Sequence, residues 1–136
     1  MKKNRRQFIS QTGLAAAAIT GLSAFTDHLS SDIKKPGFIH HVFFWLKDPA
    51  NTTDRDKLVE GLRTLARVKT IRSFHIGQPA NTHRDVIERG YAVSWLTYFD
   101  NEADQASYQE DPIHLNFVKQ CSALWSKVIV YDTVDL

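Results

Sequence analysis

Six histidines and a single cysteine carry most of the reactive potential of this 136-residue chain. Histidine takes up and gives back a proton near neutral pH, so its placement decides whether acid–base chemistry is available. His40 and His41 are adjacent in the string Phe38-Ile39-His40-His41-Val42-Phe43-Phe44-Trp45-Leu46-Lys47, and His114 follows Asp111-Pro112. His75 belongs to a partly polar string and His83 to a hydrophilic loop. Neither completes a metal-binding triad with the others, so no metal is assigned. Cys121 alone can form neither an intrachain disulfide nor a thiolate zinc cluster, and on an apolar helical stripe it reads as inert packing. No signature demands haem, a quinone-like group or any other cofactor.

The elements that must position these groups follow from periodicity. Phe38 to Lys47 is a strand, rich in β-branched and aromatic residues. Ile39, His41, Phe43 and Trp45 point to one side of it, and Phe38, His40, Val42, Phe44 and Leu46 to the other. Both sides are apolar, so each needs cover. Asp48-Pro49 stops the strand, and Thr53 with Asp56 is predicted to cap a helix carrying Leu58, Leu62, Leu65 and Ala66. Ile71 to Gln78 reads as an edge strand and Tyr91 to Phe99 as a third strand. Asp100 or Asn101 caps a short helix through Tyr108. Asp111-Pro112 opens another helix, with His114, Phe117, Val118, Cys121 and Trp125 on one stripe. Lys127 to Thr133 is the last strand.

This order, β-α-β-β-α-β with the second helix broken in two, predicts an α+β ferredoxin-like fold: a four-stranded antiparallel sheet with helices on one face. The helices cannot also cover the other face, and leaving it wet would expose too large an apolar patch. A second copy is the simplest cover, so the expected assembly is an isologous homodimer, a dimeric α+β barrel.

Composition bounds the function classes. With 43% hydrophobic and 24% charged residues the chain is too apolar for disorder and too polar for a multi-span membrane protein. The first 23 residues hold Lys2, Lys3, Arg5 and Arg6 and no acid, followed by an apolar run from Gly13 to Leu22. That run is about half the ~20 residues needed to span a bilayer, which points to a cleaved export signal rather than stable membrane insertion. Asn4-Arg5-Arg6-Gln7-Phe8-Ile9 resembles a bacterial twin-arginine signal. The expected organisation is a signal over 1–24, a flexible leader over 25–37 and one domain over 38–136, with a periplasmic or otherwise exported location. Without residues 1–23 the balance is 13 basic against 15 acidic residues, formally −2. The basic residues are dispersed among acids, which argues against a nucleic-acid partner.

Three strings carry a resemblance: Ile39 to Lys47, Ser73-Phe74-His75-Ile76-Gly77, and Tyr98-Phe99-Asp100-Asn101-Glu102-Ala103 running on to Tyr108-Gln109-Glu110-Asp111-Pro112-Ile113-His114. Together they resemble the stress-response A/B barrel (Dabb) family over roughly residues 38 to 135. The resemblance implies the dimeric ferredoxin-like barrel. Plant relatives resembling olivetolic acid cyclase close a linear polyketide by aldol chemistry, and the tyrosine and histidine serving them match Tyr108 and His114. The family's strand histidine is matched to His41. Asp111 stands where a histidine is usual, which favours a helix cap there.

On this reading the helix stripe of His114 meets the strand face of His41, Phe43 and Trp45. With Phe117 these residues would line a pocket for a small apolar or aromatic ligand, while His40 falls at the dimer seam. Such a site could deprotonate a carbon beside a carbonyl, with His114 as base and the Tyr108 hydroxyl stabilising the enolate oxygen. The alternative is a packed His114 and a filled aromatic core. Two classes follow: an exported dimer that binds without turnover, and a cofactor-free lyase or cyclase.

Overall fold

The two most apolar strings of the chain become the two central strands. In the computed structural model, which describes residues 37–136, β1 (Phe38–Leu46) pairs with β3 (Val93–Phe99) at the middle of one antiparallel sheet. The more polar β2 (Ser73–Gly77) and β4 (Trp125–Thr133) form its edges, in the order β2-β3-β1-β4. Between β1 and β2 runs α1 (Thr52–Leu65). Between β3 and β4 run α2 (Glu102–Glu110), α3 (Pro112–Cys121) and a 3₁₀ turn over Ser122–Leu124. This is the expected ferredoxin-like α+β fold, with β2 at an edge and the second helical segment broken in two. The expected signal and almost all of the leader lie outside the described residues.

Polar side chains mark the helix starts. Asn101 and Asp111 cap α2 and α3, accepting from Asp104 N at 2.9 Å and Ile113 N at 2.8 Å. Pro112 takes the first turn of α3, where a missing N–H costs nothing. The cap of α1 is Asn51, not Thr53: its Oδ1 accepts from Asp54 N at 3.0 Å. Asparagine two residues earlier serves as well as threonine and lets the helix begin sooner. Trp125 opens β4 rather than extending the stripe of α3, because the 3₁₀ turn ends the helix at Cys121.

The core lies between the helices and one face of the sheet. Phe38, Val42, Phe44 and Leu46 of β1 share one buried cluster with Leu58, Leu62 and Leu65 of α1, in which Trp95 and Phe99 of β3 meet Tyr108 and Phe44 meets Phe117. Gly61 lets α1 and α3 approach: a Cβ there would sit 2.7 Å from Cys121 Sγ and 3.1 Å from the Phe117 ring.

The helices cover the His40 side of β1, not the His41 side. His40 is 4% exposed, and Ile39, His41, Phe43 and Trp45 stand half-buried on the opposite, open face. The expected meeting of the His114 stripe with His41, Phe43 and Trp45 is therefore corrected, as is the placing of His40 at a seam. A strand apolar on both sides carries no register of its own, and a shift of one residue exchanges its faces. The neighbours break the tie. β3 sets Val93, Trp95 and Phe99 beside the His40 side and Ser94, Leu96 and Tyr98 beside the other, so the drier side takes the helices.

Candidate functional site

Tyr108 stands in the last turn of α2 and His114 in the first turn of α3, and the Asp111-Pro112 corner folds one helix back toward the other. Their rings come to 4.7 Å between centroids. On the sheet side, His40 approaches the Tyr108 ring to 5.7 Å, so the phenol lies between two imidazoles. Beside them is a cavity of about 150 Å³, lined by His40, Trp95, Tyr108, His114 and Phe117 and bordered by Val128 and Val130 of the edge strand β4. That volume is comparable with cavities that take up one benzene ring.

The hydrogen bonds fix what each group can offer. Tyr108 is 1% exposed, and its hydroxyl oxygen accepts from Trp95 Nε1 at 3.1 Å, which leaves its own proton free to be donated. His114 Nδ1 lies 3.1 Å from the carbonyl oxygen of Gln109. A carbonyl only accepts, so Nδ1 carries the proton and Nε2 is the free lone pair of the neutral ring. His40 Nδ1 sits 2.5 Å from Asp132 Oδ1, its direct cross-strand neighbour on β4. Asp132 thus orients the imidazole of His40, much as carboxylates orient catalytic histidines elsewhere.

Burial moves the protonation equilibria in useful directions. It holds the Tyr108 phenol well above its usual range, outweighing the opposing hydrogen bond from Trp95. Burial also pulls His114 below the ordinary imidazole value. The Gln109 carbonyl and Asp111 act against that shift, and nearby His40 adds to it. At neutral pH the site therefore presents a neutral phenol as a donor and a neutral imidazole as a base.

Of the residues expected to form the pocket, Tyr108, His114 and Phe117 come together here. His41, Phe43 and Trp45 do not, because they occupy the other face of β1. Three contributors went unforeseen: His40, Asp132 and Trp95. The trace of the first two was available, since an aspartate interrupts the apolar run of the last strand at the position antiparallel pairing sets opposite His40. Among the described residues, no group of three or more His, Cys, Asp or Glu side chains is placed to hold a metal ion. No described helix is long and apolar enough to cross a membrane.

Residues 38–135 match the family model of the Stress responsive A/B Barrel Domain. The chain belongs to this family. A relative from Arabidopsis thaliana, the stress-response A/B barrel domain-containing protein At5g22580, is 26% identical over 97 residues, covering 71% of this chain and 84% of that protein. Among solved structures, a Dabb family protein with a ferredoxin-like fold from Mesorhizobium loti aligns with a TM-score of 0.62 at 20% identity, over 75% of this chain and 99% of that one. A dimeric ferredoxin-like protein of unknown function from Thermobifida fusca gives 0.61 at 14%, over 75% and 93%. The hydroxynitrile lyase of Passiflora edulis gives 0.60 at 19%, over 75% and 96%. At these identities the structural likeness establishes the shared ferredoxin-like α+β fold.

Proposed function

We propose that this A/B barrel protein is an exported homodimer that binds a small apolar or aromatic molecule in the cavity between α2, α3 and the sheet. The convergence of Tyr108, His114 and His40 on one apolar cavity carries the reading. A filled aromatic core would not need three polar rings, each held by a named partner. The uncovered apolar face of the sheet supports the homodimer, as does the dimeric neighbour from Thermobifida fusca. The basic and apolar N-terminal string supports export. Native mass spectrometry of the mature protein from its source tests this reading: a dimer carrying a retained small molecule is expected. A bare protein, together with a His114→Ala variant indistinguishable from wild type against a panel of single-ring compounds, would overturn it.

A second reading, proton transfer, is favoured by one specific observation. His114 keeps Nε2 unprotonated and Tyr108 keeps an undonated proton within the same small cavity. In this reading His114 Nε2 removes a proton from a carbon next to a carbonyl, and the electron pair moves onto the carbonyl oxygen. The Tyr108 O–H donates a hydrogen bond to that oxygen as charge develops, and the proton returns from His114 to carbon or to a leaving group. No cofactor is needed. The fold is shared with a hydroxynitrile lyase, which supports an enzymatic reading of this scaffold. Deuterium exchange at the acidic carbon of a 1,3-diketone, followed by NMR, measures the step directly. His114→Ala is expected to slow it by about 10²-fold or more, and an unchanged rate would remove the catalytic reading while leaving ligand binding intact.

A further inference from the structure

The inner cavity has two unlike ends. His40, Tyr108 and His114 stand at one and Phe44, Phe117 and Trp125 at the other, with His40 and Phe44 four residues apart on β1, roughly 13 Å along a strand. The second end is a closed triangle of rings. Phe44 meets Trp125 at 5.0 Å, Phe117 lies against Trp125 at 5.9 Å with 29° between the ring planes, and Phe44 meets Phe117 edge to face at 6.4 Å. Rings in mutual contact hold one another in place, so the indole cannot turn aside without parting from both neighbours. Val118, Val128 and Val130 form the flank of the cavity and are exposed. A ligand therefore enters from the side, while its length is set by the rings at the end.

Strand alternation alone would not put Trp125 there. From Ile39–Thr133 to Trp45–Lys127 the ladder between β1 and β4 runs without a break, and the next partner, that of Leu46, would be Ser126; instead the register shifts by one and Leu46 faces Trp125. In an unbroken strand Trp125 would share the open side with Lys127 and Ile129. The shift turns it to the side of Leu46, which is buried under the helices. The bulge is pinned on both sides. Ser126 Oγ lies 3.3 Å from the carbonyl oxygens of both Trp45 and Leu46, its proton shared between them, and beyond it the Lys47 N–H donates to the Leu124 carbonyl at 3.0 Å. Re-aiming a single side chain is what bulges do beside binding sites.

We propose that Trp125 is the specificity-determining stop of this cavity: it limits the ligand to one ring, and so selects single-ring carbonyl compounds over their fused two-ring counterparts. The inference rests on the cavity being a ligand site and adds to that reading the size of what the site takes. A volume of about 150 Å³ suits one benzene-sized ring. With the carbonyl directed at the Tyr108 hydroxyl, a second fused ring laid along the same axis would need the place of the indole.

Calorimetric titration of the full-length protein with acetophenone and with 2-acetylnaphthalene tests this. Hydrophobicity alone favours the larger compound, so a preference for the smaller one reports shape. The wild type is expected to bind acetophenone about tenfold or more tighter than 2-acetylnaphthalene. Trp125→Leu, which keeps an apolar side chain opposite Leu46, should abolish or reverse that preference, and Trp125→Phe should fall between. In ¹⁵N-labelled protein, acetophenone should shift the Trp125 indole N–H resonance, assigned by its loss in Trp125→Phe, and leave that of Trp45, on the opposite face of the sheet, in place. Equal wild-type affinity for the two compounds, or a preference unchanged in both variants, would overturn the stop while leaving the cavity as a ligand site. A shift at Trp45 without one at Trp125, or no binding of either compound by wild type and variants, would overturn the ligand-binding reading and this inference with it.

Discussion

The two faces of β1 make opposite uses of the same alternating string. Toward the helices, each of the three polar rings at the site has a specified partner: His40 with Asp132, Tyr108 with Trp95, His114 with the carbonyl of Gln109. Toward the open side, contacts run from ring to ring, His41 to Phe43 at 4.1 Å and Phe43 onward to Tyr91 and Tyr131. Buried polar groups are tolerated only when bonded, and those bonds aim them, so the inner face can perform directional chemistry. Rings packed edge to face supply area without direction, which suits the open face to association with another copy.

The largest effect should come from breaking the inner face. Tyr108→Ala removes a fully buried ring that touches His40, Phe99 and His114, and should destabilise the protein by about 3–5 kcal/mol in urea unfolding. Tyr108→Phe keeps the ring, leaves Trp95 Nε1 without its acceptor and should cost only about 1–2 kcal/mol. If Tyr108→Phe costs nothing, the hydroxyl is not the reason tyrosine is buried here, and the contrast between the faces weakens.

Next comes a charge placed on the open face. Phe43→Asp should leave the protomer folded while weakening the proposed homodimer by about a hundredfold, since burying an unpaired carboxylate in a seam costs roughly 3 kcal/mol. Light scattering coupled to size exclusion would show the mass falling toward one protomer. An unchanged dimer would mean that this face does not serve association.

A smaller effect tests how tightly the helices are held against the inner face. Alanine is the better helix former by ~1 kcal/mol, yet a methyl at Gly61 meets Cys121 Sγ and Phe117 at clashing distances. Gly61→Ala should therefore be net destabilising by about 1–2 kcal/mol in urea unfolding. A stabilised variant would show that α1 and α3 have room to separate.

The sequence made some of this architecture legible and left the rest open, for physical reasons. Element order, the Asp111-Pro112 corner and the edge position of β2 were readable because caps, proline and strand composition act locally. The Tyr108–His114 pair was expected from the family resemblance, and the corner that both residues flank is what brings their rings together. Which face of β1 the helices cover could not be read from β1 alone, since Phe38-Val42-Phe44-Leu46 and Ile39-Phe43-Trp45 are nearly equal in apolar character. Only the pairing with β3 and β4 decides, and with it the partnership of His40 and Asp132, 92 positions apart in the chain.

The finest test of the contrast is titration of the two histidines that burial lowers, one on each face. His114 is lowered chiefly by burial within its own protomer. His41 is lowered first by burial and then by the nearby imidazoles of His75 and His40, and its cross-strand neighbours Leu96 and Tyr131 offer no negative charge. A histidine depressed in this way favours the folded form most above its unfolded value of 6.5 and loses that contribution as pH falls through its lowered native value. If a second copy covers the open face, association buries His41 further. Its midpoint should then fall as protein concentration rises, and the homodimer should weaken as the pH drops through the already lowered midpoint of the single protomer toward the lower one of the dimer. His114 should titrate at the same lowered midpoint at every concentration. Imidazole proton resonances followed from pH 8 to pH 5 at two concentrations would show this, because concentration dependence at His41 alone is the signature of a face completed by a partner.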